Sequence, residues 1–240
     1  MLIDRIKNSK LVKRIRLLLG VSAEQRNFNF HFKRSTKMIS NYLQSAQKEK
    51  YLQIGCQSQL IEGWLNVDLL PKNLNVVFMD ATKPFPFPNQ SFDCIFSEHM
   101  IEHISLEQGK FMIGECYRVL KPGGRLRIST PDLKFLIQLY LHPEKEIHQN
   151  YVKFSQRYFP KHTIVTDVIV VNNFFRDWGH QFIYDKKSLA MIFESAGFNK
   201  VTFPPVHESS DTRLCNLEKH GMEITEEFNL LESIVVEAEK

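Results

Sequence analysis

Long apolar runs are missing from this 240-residue chain. Nothing in it approaches the roughly 20 apolar residues that a helix needs to cross a bilayer, so an integral helical membrane protein is not expected. Cysteine is scarce: Cys56, Cys94, Cys116 and Cys215 are the whole set, and no two form a Cys-x-x-Cys pair. That argues for free thiols in a reducing compartment. The glycine pattern G-x-G-x-x-G of dinucleotide-binding folds is absent, and Gly55 to Asp68 leaves only a short loop where such folds open a helix under a pyrophosphate. Internal repeats and low-complexity tracts are lacking too. The first twenty residues have scattered charges and no small-residue cleavage site, so a signal peptide is not expected and the cytoplasm is the default location.

What is present is the composition of an ordinary globular protein, 43% hydrophobic and 24% charged, with enough length to bury a full core. The net charge of +4 conceals an asymmetry. Residues 1–50 hold 12 Lys or Arg against 3 acidic residues, and the remainder hold 19 against 24. Leu11, Val12, Ile15, Leu18 and Leu19 repeat at helical spacing among Lys10, Lys13, Arg14 and Arg16, the pattern of a basic amphipathic helix. Residues 1–48 therefore read as a basic helical extension. Its face would either pack on the domain or meet an anionic membrane surface or acidic partner. Nucleic acid is not expected, because no recognisable module accompanies the charge. The stretch FNFHFK, with Phe28, Phe30 and Phe32 alternating, reads as a short strand or packing arm.

Residues 93–132 are the most telling. Phe92, Cys94, Ile95 and Phe96 form the short apolar run of a strand buried on both faces, which stops at Ser97, Glu98 and His99. Leu106, Met112, Ile113, Cys116, Val119 and Leu120 recur at largely helical spacing until Lys121, Pro122, Gly123 and Gly124 end the helix, and 125–130 alternates into another strand. Further strands are expected at 50–55, 64–69, 75–79, 200–204 and 232–238, with a helix over 186–198. The 133–185 region is far longer than a connection requires and reads as a lid over a substrate. Its aromatics, among them Tyr151, Phe154, Tyr158, Phe174 and Trp178, suit either a core or an acceptor pocket.

The run RVLKPGG at 118–124, with YLQIGCQSQLIEGWLNVDLLP before it, resembles the class I S-adenosylmethionine-dependent methyltransferases, in particular the type 11-like group, over roughly residues 50–135. The resemblance implies an α/β Rossmann-like seven-stranded sheet with helices on both faces and the last strand antiparallel, over 49–240. It implies S-adenosylmethionine as cofactor and S-adenosylhomocysteine as product. It places the first glycine turn at Ile54, Gly55, Cys56 and Gln57, with Gln57 where a glycine is usual. Asp68, with Leu69, falls where the family sets a carboxylate on the ribose hydroxyls; Asp80, with Ala81 and Thr82, falls near the adenine; Ser97 and Glu98 end the fourth strand on the cofactor edge.

Histidines at such a strand end titrate near neutral pH and suit proton removal from an acceptor. His99 and His103 at i, i+4 would share a helix face with Glu102, and His180 in the lid joins them as a further candidate base. Arg176 beside it suits an anionic group on the acceptor. The HMIEH pattern is similar to the ExxEH motif through which ubiquinone-type O-methyltransferases and small-RNA terminal methyltransferases hold a metal, with His99 replacing a glutamate. A divalent ion is conceivable there, but a metal-free site is the expectation. The activity expected is methyl transfer, with oxygen favoured, to a small-molecule, glycan or lipid-linked acceptor. The alternatives are a non-catalytic S-adenosylmethionine-binding partner protein and a nicotinamide-dependent oxidoreductase.

Overall fold

The computed structural model describes residues 23–159 and 164–240, with backbone alone for 23–32. By contacts it divides into two compact units, Met1–Ser45 and Ala46–Lys240. The described part of the first is one helix, α1 (Ala23–Leu43). The FNFHFK stretch is thus helical rather than a strand: three alternating phenylalanines are outweighed by a 21-residue segment in which each added residue gains a backbone hydrogen bond. The expected basic helix at 11–19 lies outside the described residues.

The second unit is built on a seven-stranded sheet in the order β3-β2-β1-β4-β5-β7-β6. Its strands are β1 (Tyr51–Ile54), β2 (Leu65–Asp68), β3 (Val77–Phe78), β4 (Phe92–Glu98), β5 (Leu120–Pro131), β6 (Asn199–Thr202) and β7 (Ser233–Glu239). The first five run parallel, and β7 is antiparallel to both β5 and β6. In the centre Leu52, Ile54, Val67, Phe92, Cys94, Ile95, Phe96, Leu126 and Ile128 are buried, as strands covered on both faces demand. β5 begins earlier than expected: Leu120 pairs with Phe92 and Arg125 with Cys94, so the Lys-Pro-Gly-Gly stretch is a bulge within the strand.

Helix α2 (Leu106–Val119) joins β4 to β5 and opens with a capping box between Ser105 and Gln108. No helix joins β1 to β2. Two buried amides hold that loop instead: Gln53 donates to the Gln59 carbonyl, and Asn66 donates to Ile61 and Trp64 while accepting from the Ile61 N–H. The long segment after β5 supplies α3 (Leu133–Leu141), α4 (Glu146–Ser155) and α5 (Asp167–Arg176), followed by α6 (Lys186–Ser195), which packs on β6 and β7, and by α7 (Glu226–Glu232). Phe135, Leu139, Tyr151, Phe159, Val170, Phe174 and Phe228 form a second core there, so several of its aromatics are structural. Among the described residues no helix is long and apolar enough to cross a membrane.

Candidate functional site

Parallel strands present their carboxyl ends to one edge, and at the point where strand order reverses a crevice opens. Here that point lies between β1 and β4. Gly55 follows β1 with φ +74, and a Cβ there would come within 2.5 Å of the Met100 Cγ, so the turn is restricted to glycine by both backbone and space. Gln57 also holds a positive φ, 45°. Its N–H donates to Asp68 Oδ2 at 2.8 Å, and the Leu70 N–H donates to Oδ1 at 2.7 Å, which fixes the carboxylate at the tip of β2. Asp80, beyond β3, accepts from the Thr82 N–H and hydroxyl through Oδ1.

Two lobes of a cleft meet at this edge. One is lined by Ile54, Gly55, Gln57, Asp68, Leu69, Asp80, Ala81 and Thr82, with Met100 and Ile104. The other is lined by Cys56, Glu98, Glu102, Tyr151, Phe154, Tyr158, Phe174, Trp178, His180, His220 and Glu232. Gly55, Gln57, His99 and His103 line both. Of the sequence-derived candidates, Ser97 reaches neither: its buried hydroxyl donates to the Ile54 carbonyl and ties β4 to β1. Arg176 is exposed and lines neither lobe.

The histidines do not share a helix face. β4 ends at Glu98, His99 turns the chain with φ 44°, and Glu102 and His103 lie in a single 3-10 turn, Ile101–His103. The turn instead converges the side chains. Glu102 is wholly buried; Oε2 accepts from the Thr130 hydroxyl at 3.0 Å, and Oε1 lies 3.4 Å from His99 Nδ1 and 3.9 Å from His103 Nε2. Burial alone would raise the Glu102 carboxyl, but His99, by contact and charge, and the charge of His103 hold it below its ordinary value. Burial alone would lower His99; contact with Glu102 and the charges of Glu102, Glu232 and Glu98 raise it instead. His180 is lowered, its burial outweighing Glu102 and the Phe174 carbonyl.

Residues remote in sequence complete the second lobe. The Glu98 carboxylate accepts from the backbone N–H groups of Lys219 and His220 at 2.9 Å. This pins the loop so that the His220 ring stacks on His99 with centroids 3.8 Å apart. His220 Nε2 meets Glu232 Oε1 at 3.1 Å, and the Tyr151 hydroxyl donates to Glu232 Oε2. Sequence reasoning did not single out His220, Glu232 or Met100, since no motif spacing connects them to 99–103.

Residues 35–128 match the family described as a methyltransferase domain. The chain is 39% identical over 70 residues to the ubiquinone/menaquinone biosynthesis C-methyltransferase UbiE of Marinomonas sp. (strain MWYL1), covering 28% of this chain and 27% of that protein. It is 43% identical over 47 residues to a probable S-adenosylmethionine-dependent methyltransferase of Mycolicibacterium smegmatis, covering 20% and 18%. The matches thus span about a quarter or less of these curated relatives. A crystal structure of a SAM-dependent methyltransferase from Archaeoglobus fulgidus aligns with a TM-score of 0.47 at 19% identity, covering 89% of this chain and 99% of that one.

Proposed function

We propose, because residues 35–128 match a methyltransferase domain, that the chain is a class I enzyme that transfers the methyl group of S-adenosylmethionine to an oxygen of a small-molecule, glycan or lipid-linked acceptor. One observation carries the reading: Gly55, Asp68 and Asp80, from three successive strand ends, line a single lobe that opens directly into a second, histidine-rich one. A carboxylate offers about four acceptor positions, so Asp68, with one taken on each oxygen by a backbone N–H, retains capacity for both ribose hydroxyls. Asp80 and Thr82 would face the adenine. The sulfonium methyl would then point past His99 and His103 into the second lobe, where Tyr151, Phe154, Tyr158, Phe174 and Trp178 would cover the acceptor.

Oxygen is favoured because imidazoles, which can take a proton from an acceptor hydroxyl, border the junction of the lobes. His99 is occupied on both nitrogens, by Glu102 and by the Ser233 hydroxyl at 2.9 Å, which leaves His103 and His180 as the freer candidates for the acceptor proton. The test is calorimetric titration with S-adenosylhomocysteine. Micromolar binding is expected, with a loss of about 10- to 100-fold in Asp68→Ala, the worth of hydrogen bonds to a charged group. NADH should not bind. Equal affinity in the variant, or a preference for NADH, would overturn the assignment; donor binding without transfer to any acceptor would favour a non-catalytic partner protein.

A further inference from the structure

We propose that His220, held by Glu232, is the base that takes the acceptor proton. The role rests on the methyl-transfer reading, whereas the geometry behind it stands apart from that reading.

The first observation is a buried carboxylate dedicated to one nitrogen. Glu232 ends α7; its Oε1 lies 3.1 Å from His220 Nε2, and its Oε2 accepts from the Tyr151 hydroxyl. A carboxylate only accepts, so Nε2 carries the hydrogen and the lone pair sits on Nδ1. Among the described residues no hydrogen bond reaches Nδ1: the exposed Glu223 carboxylate stands 4.0 Å from it, beyond hydrogen-bond reach. His220, Glu223 and Glu232 all line the histidine-rich lobe. A carboxylate on the far nitrogen fixes the tautomer of a base and supplies the counter-charge for its protonated form.

The second observation is that His99 has no place for a proton. The Ser233 hydroxyl donates to Asn229 Oδ1, so Ser233 Oγ accepts from His99 Nε2, while Nδ1 faces Glu102 Oε1 at 3.4 Å. Hydrogens thus occupy both nitrogens, and His99 is the imidazolium partner of Glu102; burial opposes that charge, but contact with Glu102 and its charge sustain it. The His220 ring lies over this cation with centroids 3.8 Å apart and 24° between the planes. A neutral ring stacks there at less cost than a second cation, which keeps the His220 lone pair in place until an acceptor delivers its proton. Glu98, Glu223 and Glu232 then offset the added charge, which His99 and Lys219 oppose.

The third is rigidity. Glu98 accepts from the Lys219 and His220 backbone N–H groups, and the buried Arg127 donates to Glu218, two residues before His220. The ring is therefore placed by its backbone, its far nitrogen and its stacked face together.

His103 and His180 lack such support. His103 Nε2 stands 3.9 Å from a Glu102 oxygen that already faces His99, and His180 Nδ1 donates to the Phe174 carbonyl, which gives a protonated ring no counter-charge. As the acceptor oxygen attacks the donor methyl, its O–H bond breaks toward His220 Nδ1 and the C–S bond breaks toward sulfur, leaving the methylated acceptor and a neutral thioether. The proton then passes to solvent, which reaches 18% of the His220 side chain.

The experiment begins with long-range 15N–1H NMR of the labelled full-length protein at mildly alkaline pH, with resonances identified by their loss in His220→Gln and His99→Gln. Expected are a hydrogen on Nε2 alone for His220 and on both nitrogens for His99. Next, 4-nitrophenol, coloured only when ionised, is titrated at neutral pH into the complex with S-adenosylhomocysteine; its ring suits a lobe bordered by Phe154, Tyr158 and Trp178. Bound probe should be more ionised than free probe, and His220→Gln should abolish the gain. The His220 side chain is partly exposed and a glutamine still reaches Glu232, so this variant should fold even if Glu232→Gln does not. For any acceptor the protein methylates, kcat should fall about 100-fold or more in His220→Gln, with S-adenosylhomocysteine affinity unchanged. A hydrogen on His220 Nδ1, or equal probe ionisation or equal kcat in His220→Gln, overturns the assignment; where the probe does not enter, the NMR result decides. The expected tautomers without S-adenosylhomocysteine binding would sustain the Glu232–His220 pair as a proton acceptor and remove the methyl-transfer reading.

Discussion

Gln57 holds a left-handed backbone, φ 45°, at the turn that follows β1. Side chains with a Cβ lose on the order of 1–2 kcal/mol in that region, whereas glycine does not. The contribution of the turn to Asp68 comes through the Gln57 backbone N–H, which any residue supplies. Gln57→Gly should therefore stabilise the protein by about 0.5–1 kcal/mol, a rise in Tm of about 1–4 °C for a domain of this size, and leave S-adenosylhomocysteine affinity intact. Thermal melts and calorimetry together check this. A lower Tm would deny the strain, and a lost affinity would mean that the Gln57 side chain itself contacts the cofactor. In the same turn the constraint that excludes a side chain acts at Gly55, against Met100, and not at Gln57.

Among the elements, the connection from β6 to β7 decides the shape of the histidine-rich lobe, and it is held from beneath. Arg127 on β5 is fully buried; its Nε donates to Glu218 Oε1 at 2.6 Å, and Nη1 donates to Glu237 Oε1 at 2.5 Å and to the Glu208 carbonyl at 2.8 Å. Glu218 also accepts from the His207 N–H. One guanidinium thus fastens the loop that carries Lys219 and His220 to Glu98. Arg127→Met leaves two buried carboxylates without their cation, a loss of about 3–5 kcal/mol and a fall in Tm of about 10 °C. Replacing Arg127, Glu218 and Glu237 together by apolar residues of like volume should recover most of it, because the cost lies in the unpaired charges rather than in the absence of the pair. An unchanged melting curve for the single variant would show that the network contributes little.

At the scale of the whole molecule, three of the four free cysteines are buried: Cys56 in the turn after β1, Cys94 on β4 and Cys116 on α2. Burial pushes the Cys56 and Cys94 thiols up to about 12, and raises Cys116 as well. A thiol that ionises at higher pH in the folded than in the unfolded chain favours the fold below the ordinary thiol value, and this contribution is lost as pH rises from about 9 toward 12. Stability should be nearly flat in this respect from pH 7 to 8.5 and decline above 9. At pH 8 a thiol reagent should modify at most Cys215 in the native protein and all four cysteines after denaturation. Rapid native reaction of two or more would mean that the central sheet opens readily.

The sheet was legible in the chain because each strand is a local statement: a short apolar run, a turn, a carboxylate at its end. Asp68 and Asp80 could be assigned to one edge for the same reason, since parallel strands in this order bring their ends together. The 3-10 turn at 101–103 was not legible, because spacing alone gives i, i+4 a shared face only if the segment is helical, and the left-handed His99 prevents that. Nor was the double duty of the lid aromatics, where Phe135 and Phe159 fill a core while Tyr158 and Trp178 line the cleft. The sequence by itself determined the strand order's raw material, the carboxylates at two strand ends and the glycine turn. Only the tertiary structure decided that His180, His220 and Glu232 meet His99 and Glu102, because contacts across more than 75 residues depend on how the lid and the last loop pack, which no local pattern records.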